Sequence, residues 1–178
     1  MTSSLLNAEE FSNAIKRLSH EIIEGNRNID SLALIGIRSR GDIIADRVRK
    51  NITEISGEQL DIGYIDVTFH RDDFKTNLGT PKVGPSEIMF SVDKKNIILI
   101  DDVLYTGRTI RAAMDEIFTF GRPDSIKLLA FVDRGHRELP IKADYVGKNY
   151  PTADNEQVYV HLNEVDGSDA VVIKKEGL

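Results

Sequence analysis

The most informative segment of the chain is Ile97-Ile98-Leu99-Ile100-Asp101-Asp102-Val103-Leu104-Tyr105-Thr106-Gly107-Arg108-Thr109. Its four leading apolar residues, three of them β-branched, predict a short strand that is buried on both faces. Two adjacent carboxylates and a small polar turn follow, and from Thr109 onward the apolar residues recur at helical spacing. Backbone N–H groups of such a turn and the start of the helix can bind a phosphate group. The carboxylates beside it can accept hydrogen bonds from sugar hydroxyls or bind Mg²⁺ through water.

Two other interpretations of this segment stay open at this point. The carboxylate pair could simply cap the helix that follows a buried strand. A nucleotide site of the Walker type is less favoured, because the chain contains no Gly-x4-Gly-Lys-Ser/Thr segment.

Composition places the chain among ordinary globular proteins. Its 178 residues, 40% hydrophobic and 29% charged, suffice for one domain with a full core. The sequence has no apolar run of membrane length, no signal-peptide pattern over Met1–Glu10 and no cysteine, so we expect a cytoplasmic protein without a membrane partner. The net charge of −6 means that any contact with nucleic acid needs a local basic patch.

Strand and helix patterns alternate along the chain. Asn7 and Glu10 form a capping box ahead of a helix that ends near Gly25, and further helices are predicted from about Asp42 to Ile52 and from Thr109 to the Gly121-Arg122-Pro123 stop. Strands are predicted at 31–37, 59–69, 97–100, 125–132, 145–147, 157–162 and 170–173. This alternation predicts an α/β class fold, a single domain over residues 1–178 with a mainly parallel twisted sheet flanked by helices.

Three polar segments follow predicted strands, at 38–41, 101–109 and 133–137. In a parallel sheet the carboxyl ends of the strands lie at one edge, where ligands bind, so we expect the three segments to share one pocket. Arg38, Arg40 and the amide of Gly41 are suited to holding a pyrophosphate group. The alternative for this loop is an exposed helix start with incidental arginines.

The segment at 97–109 resembles the phosphoribosyl pyrophosphate signature of type I phosphoribosyltransferases, which is an apolar strand, two acidic residues and a Thr-Gly-x-Thr turn. The resemblance implies that Asp101 and Asp102 are catalytic residues that bind the ribose 2- and 3-hydroxyls and hold Mg²⁺ through water. It also implies that Tyr105 to Thr109 wraps the 5-phosphate. The substrate-binding residues expected here are Arg38, Ser39, Arg40, Gly41, Val103, Leu104, Tyr105, Thr106, Gly107, Arg108 and Thr109. The family's loop at Arg38–Gly41 often contains a cis non-proline peptide bond.

The expected chemistry is a direct displacement. Loss of pyrophosphate gives the ribose oxocarbenium character, and no nucleophile with an adjacent base is evident in the sequence. Water would compete for such a centre, so a closing lid is expected. The polar connection at about 70–85 is the candidate lid, with Arg71 as its catalytic anion contact; an idle flexible hairpin is the alternative.

Residues 134–149, together with Asp66 to Phe74, resemble a bifunctional family of pyrimidine operon regulators that are also uracil phosphoribosyltransferases. The resemblance implies that uracil and phosphoribosyl pyrophosphate give UMP and pyrophosphate with Mg²⁺. A hood at about 133–150 would cover the uracil, with Asp133, Arg137 and the backbone near Ile141 at the base.

The second activity that this resemblance implies is binding of a hairpin in pyr operon leader mRNA, dependent on UMP or UTP, which promotes transcription termination. RNA contact is expected on a basic face of a homodimer or higher oligomer, through His20, Arg137, Lys142, Lys148 and Thr152. Exposed Lys and His side chains are often only solvated, which is the alternative for each. The chain departs from the family in a lid that is short between Phe74 and Pro85, in Ser39 for Thr, and in Gly25 where a basic residue is common.

Two other functions remain in play. One is a regulator that senses nucleotide and binds RNA but has little catalytic activity. The other is a transferase for another base, such as hypoxanthine, guanine or orotate, against which the Arg134–Lys148 segment argues.

Overall fold

The computed structural model describes residues 2–67 and 85–175. The expected lid and Arg71 therefore lie outside the described residues, apart from Pro85 at the end of that segment. In chain order the elements are β1 (Thr2–Leu6), α1 (Ala8–Gly25), a 3₁₀ turn (Ile29–Ser31), β2 (Leu32–Ile37), α2 (Gly41–Ser56), β3 (Asp61–Ile65), β4 (Asn96–Leu104), α3 (Arg108–Phe120), β5 (Ser125–Asp133), β6 (Tyr145–Asn149), β7 (Glu156–His161), α4 (Asn163–Asp166) and β8 (Ala170–Lys175).

The larger sheet has the order β3-β2-β4-β5-β6, and all of its described neighbours are parallel. Its central strand β4 is buried on both faces, as its apolar run predicted. Ile98 and Ile100 pack into the core formed with α1 and α2, while Ile97 and Leu99 pack into the core formed with α3. This alternation is the period-2 geometry of a strand covered by helices on both sides. The predicted α/β fold is confirmed.

The helices begin and end where their capping chemistry places them. The Asn7 side chain accepts a hydrogen bond from the Glu10 backbone N–H at 3.0 Å, and Glu10 accepts one from the Asn7 N–H at 2.9 Å, which completes the predicted capping box of α1. α2 runs from Gly41 to Ser56, longer than the predicted helix because it continues to a left-handed cap at Gly57. A Cβ at Gly41 would lie 2.4 Å from the carbonyl oxygen of Ile100, so glycine allows the start of α2 to pack directly on β4.

A second, antiparallel sheet has the order β1-β8-β7 and joins the first described strand to the last two. The sequence predicted strands near β7 and β8 but neither β1 nor a separate sheet. β1 was missed because a five-residue segment beginning Thr2-Ser3-Ser4 has little apolar pattern of its own. We call β1, β7 and β8 the terminal sheet. Of the described helices, none combines the length and the apolar character that crossing a membrane requires.

Candidate active site

The three polar segments meet at one cavity, as predicted. Its volume is about 290 Å³, and it lies at the carboxyl end of β4 beneath the terminal sheet. The lining residues are Arg40, Asp101, Asp102, Val103, Tyr105, Thr109, Arg134, Asp154, Glu156, Gln157, Val158, Tyr159, Val160 and His161. Each of the three segments contributes at least one of them. The roles assigned to individual residues from the sequence stay predictions.

The two adjacent carboxylates form the floor of the cavity. Asp101 is 3% exposed and Asp102 is 7% exposed, so both residues are buried. The Asp101 carboxylate accepts a hydrogen bond from the Asp102 N–H at 3.0 Å, and the Asp102 carboxylate accepts one from the Val103 N–H at 2.9 Å. Short contacts to the local backbone hold both carboxylates at the end of β4. A ligand in the cavity therefore meets two fixed negative charges.

The turn after β4 leads directly into the helix start that the sequence predicted. Gly107 is the N-cap of α3 and has a φ of 95°, a left-handed conformation that favours glycine. Glycine has no side chain with which to cap the helix, and the Arg108 N–H instead donates to the Thr106 hydroxyl at 3.2 Å. The positive end of the α3 dipole and its first amide groups give this turn the chemistry of an anion site.

The segment after β5 supports this turn. Backbone hydrogen bonds join Arg134 N–H to the Leu104 carbonyl at 3.1 Å and Glu138 N–H to the Thr106 carbonyl at 3.0 Å. A Cβ at Gly107 would lie 3.2 Å from the Ile141 side chain, so Ile141 packs against the turn. Residues 134–141 therefore act as a support for the turn in this structure.

The Arg137 guanidinium is engaged beside the turn, and its expected role at the base stays a prediction. Its Nη1 donates to the Tyr105 carbonyl at 2.7 Å, its Nε donates to the Ile141 carbonyl at 3.0 Å, and its Nη2 pairs with Asp133. Every nitrogen of the guanidinium is therefore engaged within the support. The expected RNA contact of Arg137 likewise stays a prediction.

Arg134 is a site residue that sequence reasoning missed. It is 8% exposed and lines the cavity, with its guanidinium carbon 4.1 Å from the centre of the Tyr105 ring. Its Nε donates to the Thr152 hydroxyl at 3.1 Å and its Nη2 to the Glu156 carbonyl at 2.6 Å. Thr152, expected on an RNA face, is 8% exposed and serves this contact instead. The motif contained Arg134, but its role depends on β7, which no local pattern places beside it.

The loop at 38–41 contributes two arginines with different partners. The peptide bond between Arg38 and Ser39 is cis, as the family resemblance led us to expect. Arg38 pairs with Glu87 at 3.1 Å, whereas Arg40 lines the cavity and pairs with Asp166 at 3.1 Å. Both arginines therefore already have a carboxylate partner that a bound anion would have to replace or share.

The donor set fits Mg²⁺ that binds together with a phosphorylated substrate. Within residues 2–67 and 85–175, no three His, Cys, Asp or Glu side chains are grouped as a metal site. Asp101 and Asp102 provide two carboxylates, and Mg²⁺ in proteins is typically bound by one or two carboxylates together with waters and substrate phosphates. These two residues are the ones that would hold the ion.

The expected RNA-binding residues divide into two groups. His20, Lys142 and Lys148 are exposed, whereas Arg137 and Thr152 are engaged as described above. Arg17 links α1 to the edge strand β6 by donating to the Gly147 carbonyl at 2.6 Å. Because His20 lies one turn of α1 after Arg17 and Lys148 follows Gly147, His20 and Lys148 occupy neighbouring elements.

Comparison with known proteins agrees with this geometry. The model of the phosphoribosyl transferase domain family matches residues 1–164. The chain is 50% identical to the bifunctional protein PyrR of Clostridioides difficile, over 97% of this chain and 98% of that protein. It is 49% identical to the bifunctional protein PyrR of Thermus aquaticus, over 98% and 97% respectively.

Solved structures share the fold at much lower identity. The hypoxanthine phosphoribosyltransferase of Trypanosoma cruzi superposes with a TM-score of 0.72 at 18% identity, covering 98% of this chain and 97% of that one. A hypoxanthine-guanine phosphoribosyltransferase from Bacillus anthracis gives the same TM-score and identity over 97% of each chain. With its fold matched by these enzymes and half its residues shared with PyrR proteins, the chain belongs to the phosphoribosyl transferase family and, within it, to the bifunctional PyrR proteins.

Proposed function

We propose that the chain transfers a phosphoribosyl group from phosphoribosyl pyrophosphate to uracil, giving UMP and pyrophosphate, and that it also regulates pyrimidine operon transcription by binding leader mRNA. The family assignment confirms the expected class, a bifunctional phosphoribosyltransferase. The observation that carries the catalytic half is the cavity itself, where Asp101 and Asp102, the turn before α3 and Arg40 surround one space.

The substrate would lie along the edge of the larger sheet. The 5-phosphate binds at the turn from Tyr105 to Thr109, where the α3 N-terminus favours an anion. The ribose hydroxyls bind Asp101 and Asp102, which are fixed by their backbone contacts. The pyrophosphate then extends toward the loop at 38–41.

The chain's residues favour direct displacement of pyrophosphate by the base. As the bond to pyrophosphate breaks, positive charge develops on the ribose, and the Asp101 and Asp102 carboxylates stabilise it from the cavity floor. Guanidinium groups of the loop stabilise the departing anion. Mg²⁺ bound with the substrate supplies further neutralisation of the pyrophosphate charge. The roles of Arg71 and the lid stay predictions, because both lie outside the described residues.

The terminal sheet is the better candidate for base recognition. β7 is at the edge of that sheet, and residues 157–161 line the cavity. An edge strand presents alternating main-chain N–H and C=O groups. Uracil presents an alternating edge of carbonyl oxygens and an N–H, which such a strand can pair with. Main-chain groups of β7 are thus proposed to read the base, and the roles that the resemblance implies for Arg137 and the backbone near Ile141 stay predictions.

A panel of bases tests the catalytic proposal. The protein is incubated with phosphoribosyl pyrophosphate, Mg²⁺ and, in separate reactions, uracil, hypoxanthine, guanine and orotate, and the nucleotide is measured by chromatography. We expect UMP from uracil and little product from the others. A purine nucleotide would support the alternative transferase, and no product with any base would leave a nucleotide-sensing regulator.

RNA binding is proposed for the exposed side chains of His20, Lys142 and Lys148. A two-fold RNA-binding face requires at least a homodimer, which sedimentation measurements at low micromolar concentration would detect. Filter binding of a pyr leader hairpin is expected to be tighter with UMP or UTP than without, and to weaken steeply with salt. Equal binding of an unrelated hairpin, or indifference to UMP, would remove the regulatory half. The expected cytoplasmic location also stays a prediction.

A further inference from the structure

One ion pair joins the loop at 38–41 to the segment after β7. The Arg40 Nη2 donates to both carboxylate oxygens of Asp166, at 3.1 and 3.2 Å. Arg40 lines the cavity, and its side chain is 29% exposed while that of Asp166 is 19% exposed. The pair therefore sits at the boundary between the cavity wall and the protein interior.

The guanidinium of Arg40 keeps an unmet hydrogen-bond donor in this arrangement. Its Nε is buried and has no partner among the residues that the structure describes. A buried donor without a partner loses its hydrogen bonds to water and destabilises the arrangement that contains it. The pairing with Asp166 therefore leaves one hydrogen-bond donor of Arg40 unsatisfied. This favours a second position of the guanidinium, in which an anion in the cavity accepts hydrogen bonds from more of the Arg40 donors.

Asp166, in contrast, is held in place without Arg40. Its carboxylate accepts a hydrogen bond from the Leu162 N–H at 2.8 Å, and the His161 Nδ1 lies 3.9 Å away. Burial alone would raise the pKa of Asp166, but the Leu162 N–H and the charge of Arg40 outweigh it and hold this pKa below its usual range. Asp166 is therefore a fixed anion near neutral pH.

A second arginine keeps the surrounding segment fixed. Arg47 donates to Glu164 at 3.0 Å and to Asp169 at 2.8 Å. Arg47 lies seven residues after Arg40, close to two turns of α2, so both arginines face the connection between β7 and β8. Loss of the Arg40 contact would leave the Arg47 contacts intact. Asp166 would then remain available for Arg40 to return.

We propose that Asp166 is a positioning residue that acts through Arg40: it holds the guanidinium at the cavity wall, yields it to pyrophosphate, and takes it back when pyrophosphate leaves. This inference rests on the proposed function, because pyrophosphate is the leaving group of that reaction. Its consequence is that Asp166 limits how tightly the product is retained. The exchange involves no covalent step.

The test is Asp166→Asn, which keeps an oxygen for the Leu162 N–H and removes the charge that competes for Arg40. Pyrophosphate binding in the presence of Mg²⁺ is measured by calorimetry, and product inhibition is measured with uracil as the base. We expect pyrophosphate to bind about tenfold more tightly, since a charge-assisted hydrogen bond no longer has to be given up. The KM for uracil should stay within about twofold of the wild-type value.

The matched control is Asp154→Asn, because Asp154 also lines the cavity but pairs with His136 at 3.5 Å instead of Arg40. An equal gain in pyrophosphate affinity in both variants would mean that removing any negative charge near the cavity has this effect, and it would overturn the proposal. A further check combines Asp166→Asn with Arg40→Met, where the Asp166 effect should vanish. Persistence of the gain in that background would also overturn it.

The two proposals fail separately. If the wild-type protein makes no nucleotide from any base, the proposed function falls, while calorimetry still reports the exchange at Arg40. If UMP is formed and Asp166→Asn leaves pyrophosphate affinity unchanged, only the role of Asp166 falls. Thermal unfolding of each variant verifies that the fold is kept.

Discussion

The two sheets of this protein contribute to the site in different ways. The larger parallel sheet supplies the charged and anion-binding groups, with Asp101, Asp102 and the α3 N-terminus at the end of β4. The terminal sheet and the connection between β7 and β8 supply the cover, through the edge of β7 and the carboxylate of Asp166 in α4. The groups of the larger sheet come from one continuous segment of the sequence, whereas the cover is assembled from residues far apart in the chain. The charged groups at the cavity floor therefore depend on neighbouring residues, whereas the cover of the cavity depends on contacts between residues far apart in the sequence.

The contacts between α2, which packs on the larger sheet, and the connection between β7 and β8 illustrate this difference. Arg40 and Asp166 are 126 residues apart, and Arg47 and Glu164 are 117 residues apart. Within the motif, by contrast, Asp102 contacts its immediate neighbour Val103. We therefore expect substitutions of the carboxylates at the end of β4 to change the rate of the chemical step with little change in stability. Substitutions in the contacts between α2 and the β7–β8 connection should instead change stability and the binding of substrate or product.

The largest expected effect is that of Asp102→Asn, which tests the first half of this contrast. The asparagine keeps an oxygen for the Val103 N–H but loses the charge that stabilises the ribose in the transition state. We expect kcat for UMP formation to fall roughly 100-fold or more, by analogy with loss of one fixed electrostatic contact in other active sites. Steady-state kinetics with uracil, together with thermal unfolding, measures both quantities.

The control for Asp102→Asn is Asp115→Asn on the exposed face of α3, where the carboxylate pairs only weakly with Arg111 at 3.4 Å. Its kcat should match the wild-type value. If Asp102→Asn unfolds instead of losing activity, the carboxylate is structural and the contrast between the sheets is broken at its strongest point.

The same contrast explains how much of the molecule could be predicted from its sequence. The parallel sheet and the meeting of residues 38–41, 101–109 and 133–137 were predicted, because apolar periodicity and strand ends are local signals. β1 and the terminal sheet were not, since antiparallel pairing between Ser3 and Ile173 has no local signature. The predicted strand at 59–69 is described as Asp61–Ile65, and boundaries of this kind depend on tertiary contacts.

Side-chain roles were predicted less well than positions. Arg137 is expected at the base, a prediction that stays untested, and its guanidinium is engaged with the carbonyl groups of Tyr105 and Ile141. Arg134, three residues earlier, faces the cavity instead. The sequence shows two arginines in one segment, and which of them reaches the cavity depends on Thr152 and the carbonyl of Glu156. Those partners are fixed only when the terminal sheet is in place.

The next largest effect is expected from Arg47→Met, which sharpens the second half of the contrast. It leaves Glu164 and Asp169 without their shared cation. We expect the free energy of unfolding in urea to fall by about 2 kcal/mol, less than for a fully buried pair because the carboxylates are partly exposed. The KM for uracil should rise more than the KM for phosphoribosyl pyrophosphate, because β7 covers the base.

Arg49→Met is the matched control, since Arg49 is an exposed residue of the same helix. It should change the free energy of unfolding by less than about 0.5 kcal/mol. A loss in Arg49→Met equal to that in Arg47→Met would mean that net charge, and not the contact to the terminal sheet, sets the stability.

The pH dependence of stability offers a separate test of the Arg47 contact. Hydrogen bonds from Arg47 hold the pKa of Glu164 below its usual range, and for Asp169 they outweigh the opposing effect of burial. A carboxyl whose pKa is lower in the folded state contributes stability above its unfolded pKa of about 4, and loses it as pH falls through the folded value. The wild-type protein should therefore lose more stability than Arg47→Met between pH 6 and pH 3, as measured by urea unfolding. Parallel curves would contradict this.

A smaller effect is expected from Lys148→Ala on β6, at the edge of the larger sheet away from the cavity lining. Removing one phosphate contact should weaken binding of the leader hairpin roughly fivefold at physiological salt and reduce the salt slope by about 1. Uracil turnover should be unchanged. Lys50→Ala, an exposed lysine of α2, is the control for net charge. Equal loss of RNA binding and turnover in Lys148→Ala would show that the two activities share one surface.

The smallest effect is expected at the junction between the two sheets, where Asn7 follows β1 and caps α1. Asn7→Ala removes the acceptor for the Glu10 N–H and should lower the free energy of unfolding by about 0.5–1 kcal/mol. Because β1 is one strand of the terminal sheet and α1 packs on the larger one, a local loss there should leave kcat and both KM values unchanged. If KM for uracil rises instead, the cap also sets the position of the terminal sheet. Asn13→Ala, at an exposed position inside α1, is the control, and alanine there should be neutral or slightly stabilising.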